Sequence, residues 1–192
     1  MIVVILAGGE SKRMGSDKAQ LKIQGKTLVQ IVYEQIKKQA NHIVISGPRN
    51  YNLNIKNFDD YAEAPAGPSG ALYTLLQELN DGQESGFFTV PVDTPNVPID
   101  LCERLYGDRS AIASSATSLH PTFAWWMFDD LSRIFDQEGT SSSLSLKHMA
   151  RLSQARHVSW SDETLFYNIN SLEGLTAYLE MTSSLNKAIG QS

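Results

Sequence analysis

The opening stretch MIVVILAGGESKRMGSDKA sets a glycine pair, Gly8-Gly9, a few positions ahead of Lys12, Arg13, Asp17 and Lys18. Adjacent glycines let a backbone come close to a ligand and aim its N–H groups at an anion. Arg13 adds a forked, charge-assisted donor and Lys18 adds a point charge. Together they suit a polyphosphate, whereas the glycine pair alone would equally make a tight turn. The loop holds neither a G-x-G-x-x-G fingerprint nor a G-x-x-x-x-G-K-[ST] P-loop, so it belongs to neither of those phosphate sites.

A carboxylate stands ready to complement these cations. Asp93 follows the apolar run Phe87 to Val92 and precedes Thr94-Pro95. One carboxylate, together with substrate phosphates and several waters, is the usual way to hold magnesium. The chemistry this set supports is attack by a phosphate on the α-phosphorus of a nucleotide, with Arg13, Lys18 and the ion neutralising the departing pyrophosphate. The alternative for Asp93 is an Asx-turn before Thr94-Pro95. No Ser-His-Asp or Cys-His set is visible. His42 reads as a strand-boundary residue, and His148 and His157 lack metal-ligand spacing. Cys102, the single cysteine, falls in a predicted helix and reads as buried; it excludes an internal disulfide. Trp125-Trp126 is expected to put one ring in the core and one outside. Asp129-Asp130 reads as capping at a helix start, and Ser141-Ser142-Ser143 as a solvated loop.

These residues need elements to position them. Ile2 to Leu6 is a β-branched run of the kind buried on both faces of a sheet. Thr27 and Gln30 form a capping box, opening a helix whose face carries Leu28, Ile31, Val32, Gln35 and Ile36 and which stops near Asn41. His42 to Ser46 is a second buried strand, completing a βαβ unit with parallel pairing. Further on, the pattern predicts a helix from Ala71 to Leu79 after the breaker-rich Ala64 to Gly70, and a strand from Phe87 to Val92. A short helix to Tyr106, strands over 110–117 and 121–127, helices over 129–138 and 142–153, a strand over 157–160 and a last helix from Leu172 to about Glu180 follow. The tail after Met181 reads as polar and prone to fray. Alternation of this kind predicts an α/β fold: one domain over 1–192, a three-layer sandwich with a mostly parallel, Rossmann-like sheet.

Composition bounds the partners. With 192 residues, 42% hydrophobic and 19% charged, the chain can bury a sizeable core. Its net charge of −5 offers no global attraction to nucleic acid or an anionic membrane. No apolar run approaches the ~20 residues of a membrane span, and no signal peptide is visible, so a soluble, cytoplasmic protein is expected.

The run Leu6-Ala7-Gly8-Gly9-x-Ser11-x-Arg13-Met14-Gly15-x-Asp17-Lys18 resembles the signature of nucleotidyltransferases with a Rossmann-like fold, the nucleotide-diphospho-sugar transferase type. Within them it is most similar to the molybdenum cofactor guanylyltransferases, the MobA family. Gly25-Lys26-x-Leu28, Gly67-Pro68, Pro91-x-Asp93-Thr94-Pro95, His120-Pro121-Thr122 and Asn168-x-Asn170 follow in that family's order, so the resemblance covers nearly the whole chain. It implies transfer of GMP from GTP to Mo-molybdopterin with magnesium as cofactor. It implies that Leu6, Ala7, Gly8 and Gly9 cradle the nucleotide, with Asp60 and the position of Ser46 contacting it. Arg13 and Lys18 would handle the phosphates, and Asp93 would bind both GTP and the metal. His120, Asn168 and Asn170 would lie on the substrate side, and molybdoenzyme-specific chaperones or other cofactor-biosynthesis proteins would be partners.

The chain departs from the family in places. Ser46 stands where the family has an asparagine, Ser69-Gly70-Ala71 where it has Leu-Ala-Gly, and residues 139–149 are less basic. Two rivals stay open. A cytidylyltransferase on the same cofactor would show Ala-Ala-Gly and Asp-Gln-Pro where this chain has Ala7-Gly8-Gly9 and Asp93-Thr94-Pro95. A non-catalytic module that binds GTP and delivers molybdopterin would bind nucleotide without releasing pyrophosphate.

Overall fold

The computed structural model describes residues 1–8 and 17–189, with side chains through 182. Nine strands and six α-helices alternate along these residues. A seven-stranded sheet has the order β5 (Asn57–Phe58), β4 (His42–Ser46), β1 (Ile2–Leu6), β6 (Gly86–Pro91), β8 (Leu119–Met127), β7 (Ala111–Ser114), β9 (Arg156–Ser159). Only β8 runs against the rest: it pairs antiparallel with β6 and β7, while every other neighbouring pair is parallel. The parallel pairs follow from the crossover helices, which return the chain to the same end of the sheet each time. A small hairpin, β2 (Lys22–Ile23) and β3 (Lys26–Thr27), stands apart.

Side-chain alternation divides the core into two layers. Val3, Ile5, Phe88, Val90 and Trp125 face α1 (Leu28–Ile36), α3 (Leu101–Leu105) and α6 (Leu172–Ile189). Ile2, Val4, Phe87 and Trp126 face α2 (Pro68–Leu79), α4 (Phe128–Glu138) and α5 (Leu146–Leu152). Both tryptophans are therefore fully buried, against the expectation that one ring would lie outside. Period-two alternation on a strand covered by helices on both faces sends each ring into a core, not one into water. Each indole N–H is satisfied, Trp125 by the Gly107 carbonyl at 3.1 Å and Trp126 by the Thr89 hydroxyl at 3.1 Å.

Several boundaries differ from the sequence reading for local reasons. The Thr27–Gln30 capping box forms as expected, but α1 ends at Ile36, before Asn41. Residues 142–145 stay out of the helix expected over 142–153, because serine competes for the backbone; Ser145 instead caps α5 by accepting from the His148 N–H. The strand expected over 110–117 closes at Ser114, where the Ser115 N–H bonds the Ser118 carbonyl across a turn. Pro121 sits inside β8 at a register irregularity, which spares the ladder a missing donor. Asp130 does not cap α4; it accepts from the Ser110 hydroxyl at 2.7 Å and from Arg133. The last helix continues past Glu180 to Ile189. Cys102 is buried as expected, and burial pushes its thiol up to about 12. Among the described residues no helix is long and apolar enough to cross a membrane.

One glycine fixes how α2 starts. A Cβ on Gly70 would lie 2.2 Å from the Pro65 carbonyl oxygen, a backbone atom that cannot swing aside. Gly70→Ala is expected to destabilise the protein by about 1–3 kcal/mol through overpacking. A lower denaturant midpoint at unchanged slope would register this; an unmoved midpoint would mean that the 65–70 turn yields freely.

Candidate active site

From β1 the chain crosses through α1 to β4 and β5 on one side, then returns through α2 to β6 on the other side of β1. The strand order reverses there, and open α/β sheets bind ligands at such a point, outside the strands' carboxyl ends. A cleft of about 800 Å³ occupies that position. Leu6, Ala7 and Gly8 from the end of β1, Ser46 from β4, and Asp93 beyond β6 all line it.

Backbone hydrogen bonds splay the three strand ends around this space. The Ala7 N–H donates to the Ser46 carbonyl at 2.8 Å, and the Val92 N–H to the Leu6 carbonyl at 3.1 Å. Gly47 permits the close approach: at φ +153°, a Cβ there would meet the Ala7 carbonyl carbon at 3.1 Å and the Gly8 nitrogen at 3.2 Å. Ser46 is buried, so its small side chain is part of the cleft wall rather than a free arm.

Lys18 opens a short 3₁₀ helix, Lys18–Gln20, which Asp17 caps by accepting from the Ala19 N–H at 3.0 Å. That cap fixes the backbone from which the lysine reaches across the cleft. Its Nζ lies 2.6 Å from the Asn170 amide oxygen and 3.4 Å from an Asp93 carboxylate oxygen. Asp93 is held in turn, because its carbonyl accepts from the Ile169 N–H at 2.8 Å. The segment beyond Asp93 is tied by two glutamines to α1 and the turn that follows it. Gln35 bonds the Pro95 carbonyl and the Val97 N–H, and Gln39 bonds the Pro98 carbonyl and the Cys102 N–H. Nothing in their sequence positions announces this, since Gln35 reads as part of an apolar helix face.

Asp60 lines the opposite wall beside Gly67, Pro68 and Ala71 of the α2 start. Partial burial first, and the neighbouring Asp59 second, hold its carboxyl above the usual range. Asn168 lines the cleft as well, two residues before the asparagine that binds Lys18. His120 is not among the residues that line the cleft; its ring stacks on Phe166. Gly9 and Arg13 lie outside the described residues.

The sequence reading missed several contributors. Tyr51 donates toward the Ala7 carbonyl and Asp17, each at 3.4 Å, and burial with the adjacent Asp17 pushes its phenol up to about 12. Ser69 accepts from the Leu144 N–H at 3.0 Å, drawing in the segment that brings Leu146 to the cleft. Thr122 also lines the cleft. It stands in the His120-Pro121-Thr122 motif, and Ser69 in the Ser69-Gly70-Ala71 departure, whereas nothing in the sequence announces Tyr51.

The donor chemistry fits a hard divalent cation. Asp93 supplies one carboxylate on a wall facing the phosphate-sized space beside Lys18. Among the described residues no group of three His, Cys, Asp or Glu side chains converges. The arrangement therefore suits an ion shared with bound phosphates rather than one caged by the protein.

Residues 3–157 match the MobA-like NTP transferase domain. The chain belongs to that family. A molybdenum cofactor guanylyltransferase of Cereibacter sphaeroides is 34% identical over 181 residues, covering 90% of this chain and 92% of that one. Among solved structures, molybdopterin-guanine dinucleotide biosynthesis protein A from Archaeoglobus fulgidus shares the fold at a TM-score of 0.71 and 19% identity, over 96% of this MobA-like chain and 100% of the other. A Mycobacterium tuberculosis protein solved in complex with manganese shares it at a TM-score of 0.64 and 13% identity, over 93% and 97%. The MobA-like chain is thus a nucleotidyltransferase built on a mostly parallel α/β sheet, and a metal-bound neighbour exists on the same fold.

Proposed function

We propose that this protein transfers GMP from GTP to the terminal phosphate of Mo-molybdopterin, releasing pyrophosphate, with magnesium as its cofactor and the cytoplasm as its place of work. The observation that carries the reading is the meeting of Lys18, Asp93 and Asn170 in a cleft at the ends of β1, β4 and β6. The names of the full-length relatives support the choice of GTP and molybdopterin.

The backbone at Leu6, Ala7 and Gly8 receives the nucleotide, with Ser46 and Asp60 on the nucleoside side. Lys18 exchanges its bonds to Asp93 and Asn170 for phosphate oxygens, and Arg13 reaches the same triphosphate. Asp93 would hold the magnesium, which when bound supplies charge neutralisation on the phosphates. An oxygen of the acceptor phosphate forms a bond to the α-phosphorus while the bond to pyrophosphate breaks, and Lys18 stabilises the charge that gathers on the leaving oxygens. Asn168 and Asn170 stand where the acceptor enters.

Pyrophosphate release with magnesium and molybdopterin, compared across GTP, CTP, ATP and UTP, tests the reading. A site that hydrogen-bonds the correct base rejects the others by roughly 10²-fold or more, so release is expected with GTP alone. A preference for CTP would move the protein to cytidylyl transfer. Tight GTP binding without release would make it a delivery module.

A further inference from the structure

His120 is half-buried and is not among the residues that line the cleft; its contacts are with Phe166 and Ser115. Its ring lies parallel to Phe166, with centroids 4.1 Å apart and planes within 8°. Nε2 is 3.2 Å from the Ser115 hydroxyl in the turn joining β7 to β8. Phe166 is itself buried and meets Phe123 and Trp160 edge-on, at 5.3 and 5.9 Å. Phe166 also ends a short 3₁₀ turn, Glu163–Phe166.

The next four residues run straight into the site. Asn168 lines the cleft, Ile169 is fully buried with its N–H on the Asp93 carbonyl, and Asn170 takes the Lys18 ammonium. Helical or strand hydrogen bonds do not hold this segment, since residues 167–170 belong to no regular element. Besides the Ile169 and Asn170 contacts, its position depends on what grips its two ends. Ser171 and Tyr167 anchor it to the start of α6 through the Gly174 N–H and carbonyl. On the other end the aromatic stack holds Phe166, beside the bonds from Asn96 to the Thr164 carbonyl and from Thr117 to Glu163.

We infer that His120 is a positioning residue: by stacking on Phe166 and bonding Ser115 it fixes the Asn168–Asn170 segment, and through it the placement of Lys18 and Asp93. This rests on the nucleotidyltransferase reading for its catalytic consequence, and on geometry alone for its structural one. Misplacing a positioning group by about 1 Å costs on the order of 10²-fold in rate, so losing the stack has a large effect through the segment it holds.

The stack works with a neutral imidazole. Burial lowers the His120 pKa from 6.5, and the Glu163 carboxylate, the charged group facing it from the 163–166 turn, opposes this; the Ser115 side contributes only a hydroxyl. A folded state that binds the proton less readily than the unfolded chain loses stability as pH falls below the unfolded value of 6.5. His120 therefore contributes to the loss of stability on the acid side, a share that the variants below isolate.

His120→Phe keeps a flat ring and removes the nitrogens; His120→Ala removes both. Hydrogen exchange of the 163–170 amides, pyrophosphate release and its pH profile are compared in the full-length protein. His120→Ala is expected to speed exchange in 163–170 selectively and to lower kcat/KM by on the order of 10–100-fold. His120→Phe is expected to restore slow exchange and most of the turnover, and to reduce the loss of stability below pH 6.5. Equal damage in both variants with unchanged exchange would overturn the proposal and return the ring nitrogens to substrate contact. Unchanged exchange and turnover in His120→Ala would overturn it too. A wild-type protein that releases no pyrophosphate would sink the transferase reading, while the exchange comparison would still decide the stack.

Discussion

Lys18→Met is expected to lower pyrophosphate release by on the order of 10²–10³-fold, the scale for removing one positioned donor to a developing anionic oxygen. Methionine keeps most of the stem and removes only the charge. The lysine backbone is fixed independently by the Asp17 cap, so the 3₁₀ turn survives the change. Some stability is expected to be lost as well, because the Lys18 and Asp93 side chains are only 21% and 19% exposed and the carboxylate is left without its cation. Asn170 is left without its donor, but it lies where water can replace it. Steady-state release with GTP, alongside a denaturant melt, separates the two effects. Turnover within a few-fold of wild type would remove Lys18 from the phosphates and leave its two bonds as mere structure.

The residues that do this chemistry were legible in sequence to different degrees, for physical reasons. The β1 run, the glycines and Asp93 are readable because strand ends at a reversal of strand order must face one another, and short motifs at those ends carry the polar groups. The Thr27–Gln30 box is readable because both partners lie within one turn. Trp125 and Trp126 misled because a strand covered on both faces looks locally like one covered on a single face. Gln35, Gln39 and Tyr51 were not legible at all. Their partners are dozens of positions away, brought in by crossovers that no local pattern encodes. His120 shows the middle case: its motif marked it as important, yet only the register of β8 and the path of residues 163–170 reveal that it stacks on Phe166. Sequence motifs of this kind mark where selection for chemistry acts, and geometry then assigns the part each residue takes.

Asp93→Asn is expected to lower turnover by at least as much as the lysine change, with a signature of its own. The amide keeps the shape and can still accept from Lys18, so neither packing nor the bond from the Ile169 N–H to the Asp93 carbonyl should suffer. What disappears is the negative charge beside Lys18, and with it a carboxylate that suits an ion bridging to phosphate. Turnover should therefore fall on the order of 10²–10³-fold at limiting magnesium and recover in part as the ion is raised, because the defect lies in holding the metal rather than in the fold. A variant whose rate is intact under limiting magnesium would strip Asp93 of the metal role. The double variant sharpens the test. If Lys18 and Asp93 act on the same phosphates, their effects must couple, and adding Lys18→Met to Asp93→Asn should reduce the rate by much less than the product of the single losses. Two independent losses that multiply would place the lysine and the carboxylate on different groups of the substrate, and would require the triphosphate to lie along the cleft instead of between them.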